Sequence, residues 1–88
     1  MVLQKAFILI KATPGHEEDV VDSLMKIPDV KEAHIIPGVW DILAIVATHK
    51  EIALPGDEKI YRLVLQKIGK IKHVQDTNTM VSQLSRTR

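Results

Sequence analysis

Two short segments of the chain carry an apolar side chain at every position: AFILI at residues 6–10 and ILAIVA at residues 42–47. Both are rich in aliphatic and β-branched residues, which favour the extended conformation. Successive side chains of a β-strand point to opposite faces of its sheet, so strands of this composition are apolar on both faces. Such strands belong in the interior of a sheet that is covered above and below.

The segments around these strands complete the order strand, helix, strand, strand, helix, strand. Amphipathic patterns predict helices at residues 16–27 and 58–68, the second ended by Gly69. More polar segments at residues 30–36 and 72–84 predict two further strands, both at sheet edges. The apolar stripes of the helices are Val20, Val21, Leu24, Met25 and Ile27 on the first and Ile60, Tyr61, Val64, Leu65 and Ile68 on the second. The order predicts an α+β, ferredoxin-like βαββαβ fold with a four-stranded antiparallel sheet whose first and third strands are central.

Two helices can cover only one face of such a sheet, so the apolar side chains on the other face need a second lid. The simplest lid is the same face of a second copy, packed against it or closed with it into a barrel. A chain of 88 residues without cysteine buries a modest fraction of its surface and has no disulfide to stabilise it. We therefore expect one domain, residues 1–88, that forms at least a homodimer as a dimeric α+β barrel.

Charge and composition exclude several classes of function. The 12 basic and 11 acidic residues are interspersed and give a formal net charge of +1, whereas a nucleic-acid or membrane surface requires a basic patch. The apolar run at the N-terminus is too short for a signal sequence or a membrane span. The sequence thus predicts a soluble, cytoplasmic, unprocessed protein that contacts neither nucleic acid nor membrane.

The sequence contains no motif of an enzyme or a metal site. Neither a phosphate-binding glycine loop nor a nucleophile elbow occurs. The four histidines fall on four different predicted elements: His16, His34, His49 and His73. Because metal sites in sequence usually show closely spaced ligands, we expect no metal, no cofactor and no catalytic residue.

A polar corner precedes the second apolar strand, in the stretch PGVWD at residues 37–41. It can be a hairpin turn in which Asp41 marks the last solvated position, or a pocket wall in which Asp41 receives a cation and Trp40 covers it. Near the C-terminus, Thr77 and Thr79 stand two positions apart on a predicted strand and face the same side. They can donate jointly to an anionic group, or be ordinary β-formers on an exposed edge.

Together these groups match the chemistry of a free α-amino acid, which carries an ammonium and a carboxylate on adjacent atoms. Its receptor needs an acidic acceptor beside a set of neutral donors. Asp41 can supply the acceptor. The donors can come from Thr77, Thr79 and the backbone N–H groups around Gly38.

The stretch from Ala6 to about Leu84 resembles the effector-binding domain of the Lrp/AsnC (feast/famine) transcriptional regulators, known as the regulation-of-amino-acid-metabolism domain. The resemblance rests first on PGVWD, which is similar to the family's corner of glycine, any residue, aromatic residue and aspartate. Two further segments support it: the helix EEDVVDSLMKIPDV, which runs into the second strand, and the threonine-bearing HVQDTNTMV.

The resemblance implies dimers with packed sheets, assembled further into rings such as octamers, and a small effector, usually an amino acid, bound between dimers near the corner. The implied ligand-binding residues are Gly38, Val39, Trp40, Asp41, Thr77 and Thr79. Gly38 would let the backbone approach the ligand, Asp41 would hold its ammonium group or order the loop, and the threonines would border the site. Full-length regulators also carry an N-terminal helix-turn-helix, whereas this chain begins almost directly at its first strand, which implies a stand-alone domain without a DNA-binding domain.

We therefore expect a non-catalytic module that binds an amino acid or a related metabolite and modulates full-length Lrp/AsnC regulators. Pro37 stands where the family often has threonine, which removes a hydroxyl and a backbone N–H from the corner. Two alternatives stay open. One is a small dimeric α+β barrel enzyme, such as a monooxygenase or isomerase, whose polar dyad between helices and sheet has only His34 and His73 as candidates. The other is a structural oligomerisation domain with an empty corner.

Overall fold

The computed structural model describes residues 3–49, 56–84, 86 and 88. Four strands and two helices follow one another in the predicted order. The strands are β1 (Leu3–Ala12), β2 (Val30–Ile35), β3 (Ile42–His49) and β4 (Val74–Val81); the helices are α1 (Glu17–Leu24) and α2 (Gly56–Leu63), and α2 continues as a π-helical turn over Val64–Ile68. The predicted α+β class and ferredoxin-like order of elements are confirmed.

Some elements are shorter than the hydrophobic pattern predicts. α1 ends at Leu24 because the N–H groups of Lys26 and Ile27 donate to carbonyls three residues earlier, at 3.2 and 3.0 Å, which tightens the last turn. β4 covers residues 74–81 rather than 72–84. No helix in the described parts of the chain is long and apolar enough to cross a membrane.

The sheet has the strand order β2-β3-β1-β4, and all neighbouring pairs are antiparallel. β1 pairs with β3 on one side and with β4 on the other. The two strands that are apolar on both faces are therefore the central pair, as the sequence predicts. The more polar β2 and β4 are the edge strands, each with only one neighbouring strand, and they are largely exposed or partly buried, so charged and hydroxyl residues are tolerated there.

One face of the sheet, the helix-facing side, carries the hydrophobic core. Alternate residues of β1 and β3, among them Ile8, Ile10 and Ile42, have no solvent exposure and pack with the helices. The helices contribute Val20, Leu24, Ile60 and Ile68, which are also fully buried. Full burial of one such aliphatic side chain contributes about 1.5–3 kcal/mol, so this side supplies most of the hydrophobic stabilisation within the chain.

The opposite face of the sheet, called the outer face here, is apolar as well. It is formed by Phe7, Leu9, Leu43, Ile45, Ala47 and Met80. These side chains are at most partly buried, and Met80 is 45% exposed. Because both described helices pack on the helix-facing side, no described segment covers the outer face. This is the arrangement for which the sequence analysis predicts a second lid.

Gly69 follows the π-helical turn, at the helix end that the sequence predicts, but for a different reason from the expected one. Its φ is −64°, so it does not adopt the left-handed conformation of a typical helix-terminating glycine. Its N–H donates to the carbonyl of Val64 at 2.7 Å, and a Cβ at this position would stand 3.1 Å from the same carbonyl. A residue with a side chain would therefore make an unusually tight contact here, which favours glycine through the close approach of the backbone.

Candidate functional site

One end of the sheet gathers the segments that the sequence analysis singled out. β1 and β2 end there and β3 and β4 begin there, because all neighbouring strands are antiparallel. The PGVWD corner at residues 37–41, the β1–α1 turn at residues 13–16 and the turn at residues 69–73 therefore meet at this end. We call it the corner end. Any site built from these segments is located there.

Asp41 is hydrogen-bonded to the neighbouring end of β1. Its Oδ2 accepts the backbone N–H of Ala12 at 2.9 Å, and its own N–H donates to the carbonyl of Ile10 at 3.0 Å. Its carbonyl accepts the N–H of Ile36 at 2.8 Å, which closes the corner. Because β3 begins only at Ile42, the carboxylate takes the place of a strand partner for Ala12. Asp41 thus orders the corner against β1.

The middle of the corner is exposed. Gly38 has a φ of +142°, which residues with a side chain rarely adopt, and a Cβ there would meet no atom within 4 Å. The glycine is therefore required by the backbone conformation and not by lack of space within the chain. Val39 is 77% exposed, more than any other large apolar side chain that the structure describes, whereas Trp40 is partly buried. The corner thus presents apolar surface to solvent.

Thr77 and Thr79 lie on the other side of β1 from the corner. In the pairing of β1 with β4 they stand opposite Ile10 and Ile8, so both are on the helix-facing side, and both are partly buried. In the described part of the chain, neither hydroxyl has a hydrogen-bond partner. Both hydroxyls therefore remain available as donors or acceptors.

The six candidate residues do not form one pocket within a single chain. Asp41 flanks β1 on its β3 side and Thr77 flanks it on its β4 side, so two strand spacings, about 10 Å, separate their backbones. Asp41 directly precedes Ile42, whose side chain is on the helix-facing side. Because successive side chains alternate between the two faces, the side chain of Asp41 begins on the outer side. The corner and the threonines are two separate groups at the same end of the sheet.

The structure brings together two histidines that the sequence analysis did not connect. His16, directly before α1, and His73, directly before β4, have stacked rings with centroids 3.6 Å apart and planes at 12°. They lie on different elements, as predicted, yet the fold makes these elements neighbours at the corner end. The predicted topology already implied that these two segments are neighbours, because β1 ends beside the point at which β4 begins.

In the described part of the chain, neither histidine that the sequence offered for a catalytic dyad is buried between the helices and the sheet. His34 is exposed on the outer side of β2, with its Nε2 3.1 Å from Glu32 Oε1, and His73 lies in a turn. Among the residues that the structure describes, the buried polar ones on the helix-facing side are Gln4 and Thr48, neither of which is ionisable. In residues 3–49 and 56–84, no three His, Cys, Asp or Glu side chains are grouped so as to hold a metal ion.

The described residues thus form a ferredoxin-like sheet with the glycine–aromatic–aspartate corner at one end. The model of the Lrp/AsnC ligand binding domain family matches residues 5–86, and the chain belongs to this family. It is 36% identical over 80 residues to an uncharacterized HTH-type transcriptional regulator of Pyrococcus furiosus, a match that covers 88% of this chain and 49% of that protein. The chain thus spans about half the length of the curated relatives it matches.

Solved structures share the fold. The hypothetical protein PHS023 from Pyrococcus horikoshii is 29% identical with a TM-score of 0.76, over 93% of this chain and 92% of that chain. A transcriptional regulator from Neisseria meningitidis, solved as an L-Met complex, has a TM-score of 0.78 at 20% identity, over 97% of this chain and 53% of that chain. At the lower identity the likeness shows the fold alone. The resemblance to the Lrp/AsnC family drawn from the sequence is confirmed.

Proposed function

We propose that this domain is a non-catalytic sensor of an amino acid or a related metabolite, acting in the cytoplasm through self-assembly and association with full-length Lrp/AsnC regulators. Its membership of the ligand binding domain family supports this, as does the naming of its matched relatives as transcriptional regulators. A related regulator was solved with L-Met. The observation that carries the proposal is the PGVWD corner, which holds a fixed carboxylate beside exposed apolar surface.

The carboxylate of Asp41 has capacity for a ligand beyond its structural bond. A carboxylate offers about four acceptor positions on two oxygens. The bond from Ala12 uses one of them, on Oδ2, and Oδ1 has no partner among the described residues. Asp41 is partly buried, so an ammonium group bound there would be shielded in part from water. The proposed role of Asp41 is therefore double: it orders the corner and accepts the ammonium group of the effector.

A complete binding site requires more than one subunit. The ammonium and carboxylate of an α-amino acid are on adjacent atoms, whereas Asp41 and Thr77 lie on different sides of β1 within one chain. A ligand bound at the corner of one subunit would therefore take its other contacts from a neighbouring subunit. The residues that we assign to the site are Gly38, Val39, Trp40 and Asp41 at the corner and Thr77 and Thr79 on β4.

Self-assembly is proposed to begin at the outer face. A second copy that packs the same face against it forms a two-fold dimer, in which each contact occurs twice. Burying an aliphatic side chain such as Leu43 at this interface would stabilise the dimer by at most about 1.5–3 kcal/mol. Larger rings would then be built from dimers, with the corner end at the junction between them. A full-length regulator with the same domain could join by the same contacts.

The experiment is thermal unfolding with each proteinogenic amino acid at millimolar concentration, on the wild type and on two variants of Asp41. A ligand at about 100 times its dissociation constant adds roughly 2.7 kcal/mol of apparent stability. Asp41→Asn keeps an acceptor for the Ala12 N–H but loses the charge, so we expect it to fold and to lose the response. Asp41→Ala loses both, so it should also cost about 1–2 kcal/mol without any ligand.

Asp22→Asn is the matched control, because Asp22 is an exposed carboxylate on α1. It should keep the wild-type response to every amino acid. A response that survives in Asp41→Asn would remove the ammonium-binding role while leaving the corner's structural role intact. Light scattering on the same samples would record whether an active amino acid changes the mass of the assembly.

One observation favours a second candidate, the structural oligomerisation domain. The hydrogen bond from Ala12 to Asp41 is by itself a sufficient reason for an aspartate at this position. In that case the protein would form a stable assembly whose mass and unfolding midpoint respond to no amino acid. The same unfolding series therefore separates the two candidates.

A further inference from the structure

A stacked pair of imidazole rings connects two elements at the corner end. His16 immediately precedes α1, His73 immediately precedes β4, and their ring centroids are 3.6 Å apart. Histidine is the side chain whose ordinary pKa lies between pH 5 and pH 8. Two neutral rings at this separation pack favourably, whereas two protonated rings repel each other across the same contact. The contact is therefore sensitive to the number of protons that it carries.

The backbone of His73 is held in place next to the stack. Its φ is +74°, a left-handed conformation that is uncommon for a residue other than glycine. Its carbonyl accepts the N–H of Thr13 at 2.9 Å and the hydroxyl of Thr13 at 3.4 Å. Gln75 Nε2, from the start of β4, donates to the same hydroxyl at 3.5 Å. These bonds and the stack together fasten the turn before β4 to the β1–α1 turn.

The two rings differ in the charged groups that lie near them. His16 Nδ1 is 3.0 Å from Asp19 Oδ2 in the first turn of α1, so a proton on His16 has a carboxylate partner. The ring of His73 faces the ring of His16, whereas its backbone carbonyl is bonded to the neutral Thr13. Burial lowers the pKa of His73 from its ordinary 6.5, the charges of His16 and Lys72 lower it further, and Asp19 opposes them.

We propose that the His16–His73 stack is a proton-operated latch, which holds the start of β4 against the start of α1 and opens when both rings are protonated. Opening releases the turn at residues 69–73 and the first part of β4, which carries Thr77. Ile71 and Val74, on either side of His73, pack against the edge of the helix-facing core, whereas Ile8 and Ile42 on the central strands lie outside the released segment and should stay buried. This inference rests on the stack and its hydrogen bonds, and it holds whether or not the domain binds an effector.

The direction of the pH effect follows from the lowered pKa of His73. The folded state then binds fewer protons than the unfolded state, so the full stability is present above about pH 6.5 and falls as the pH drops through the folded-state pKa. The loss therefore occurs on the acidic side of pH 6.5.

The test combines an NMR titration of the histidine rings with amide hydrogen exchange. We expect His73 to titrate below its ordinary 6.5. Between about pH 7.5 and about pH 5, the protection of the Thr13 amide, which donates to His73, should fall by more than that of the Ile8 amide in the sheet, after correction for intrinsic exchange. Titration of His73 at or above its ordinary value, or parallel loss of protection at both amides, would overturn the proposal.

Three variants separate the latch from a merely structural contact. His16→Phe keeps an aromatic ring on His73 but cannot be protonated, so it should raise the pKa of His73 and reduce the pH dependence of the Thr13 amide. His73→Asn tolerates the left-handed conformation and removes the ring, so it should abolish that dependence. His34→Gln, at an exposed histidine outside the stack, is the control and should leave it unchanged. A wild-type pH dependence in both His16→Phe and His73→Asn would refute the latch.

Discussion

The two faces of the sheet are made from alternate residues of the same strands, yet only one of them is covered within the chain. Ile8 of β1 has no solvent exposure beneath the helices, whereas Leu9, the next residue, lies on the outer face and is only partly buried. Both are aliphatic residues of the same central strand. The difference therefore comes from the position of the helices and not from the strand itself.

Composition and topology therefore carry separate information about which faces of a strand are covered. Consecutive apolar residues indicate that both faces of a strand are to be covered, but only the connections between strands decide which face the chain covers by itself. The uncovered face is then the natural place for another subunit. In this protein, covering it by a second copy would also set the distance between the corner ends of neighbouring subunits, on which the proposed binding site depends.

The largest expected effect is on the helix-facing side. Ile8→Ala removes a fully buried side chain of the helix-facing core and should destabilise the domain by about 2–5 kcal/mol. Leu9→Ala, its neighbour on the outer face, is the matched control and should cost less when both are measured by chemical denaturation at low protein concentration. Equal losses would show that the outer face is as well packed as the core, which would contradict the comparison.

A smaller effect on folding, but a large one on assembly, is expected at the outer face. Leu43→Lys places a charge in the middle of this face, so we expect it to convert the proposed assembly to monomers in sedimentation or light scattering. Because the side chain can reach solvent in the monomer, secondary structure should be retained in circular dichroism. Lys31→Glu, an exposed change on the edge strand β2, should keep the wild-type mass. An unchanged mass in Leu43→Lys would place the interface elsewhere.

Much of the fold could be predicted because it depends on local patterns. The apolar runs identified the central strands, and the breaks between them fixed the order of elements. The helices were less well predicted in detail: Tyr61 and Leu65 belong to the apolar stripe read from the sequence, yet they are 50% and 72% exposed. α2 meets the sheet along the line of Ile60, Val64 and Ile68, so residues one position further along fall on its flank.

The candidate site was less predictable because its contacts join residues that are far apart in the chain. An aspartate before a strand could be recognised, but its bond to Ala12, 29 residues earlier, depends on how far β1 extends beyond the start of β3. The stacking of His16 on His73 depends in the same way on two turns that become neighbours only in the sheet. Spacing along the sequence does not encode either contact, whereas the predicted topology would have permitted a search for both.

The smallest expected effect is at Thr48, a polar residue on the largely apolar helix-facing side. Thr48 is 3% exposed on this side, and its hydroxyl has no hydrogen-bond partner in the described part of the chain. An unsatisfied buried polar group costs about 1–3 kcal/mol, and valine has nearly the same shape without the hydroxyl. Thr48→Val should therefore stabilise the protein by about 1 kcal/mol, which raises the unfolding midpoint of a domain this size by about 4–8 °C. Thr79→Val, at a partly buried threonine on the same side, should change the midpoint much less. If Thr48→Val is neutral or destabilising, the hydroxyl is satisfied in the folded protein and the helix-facing side has no polar defect.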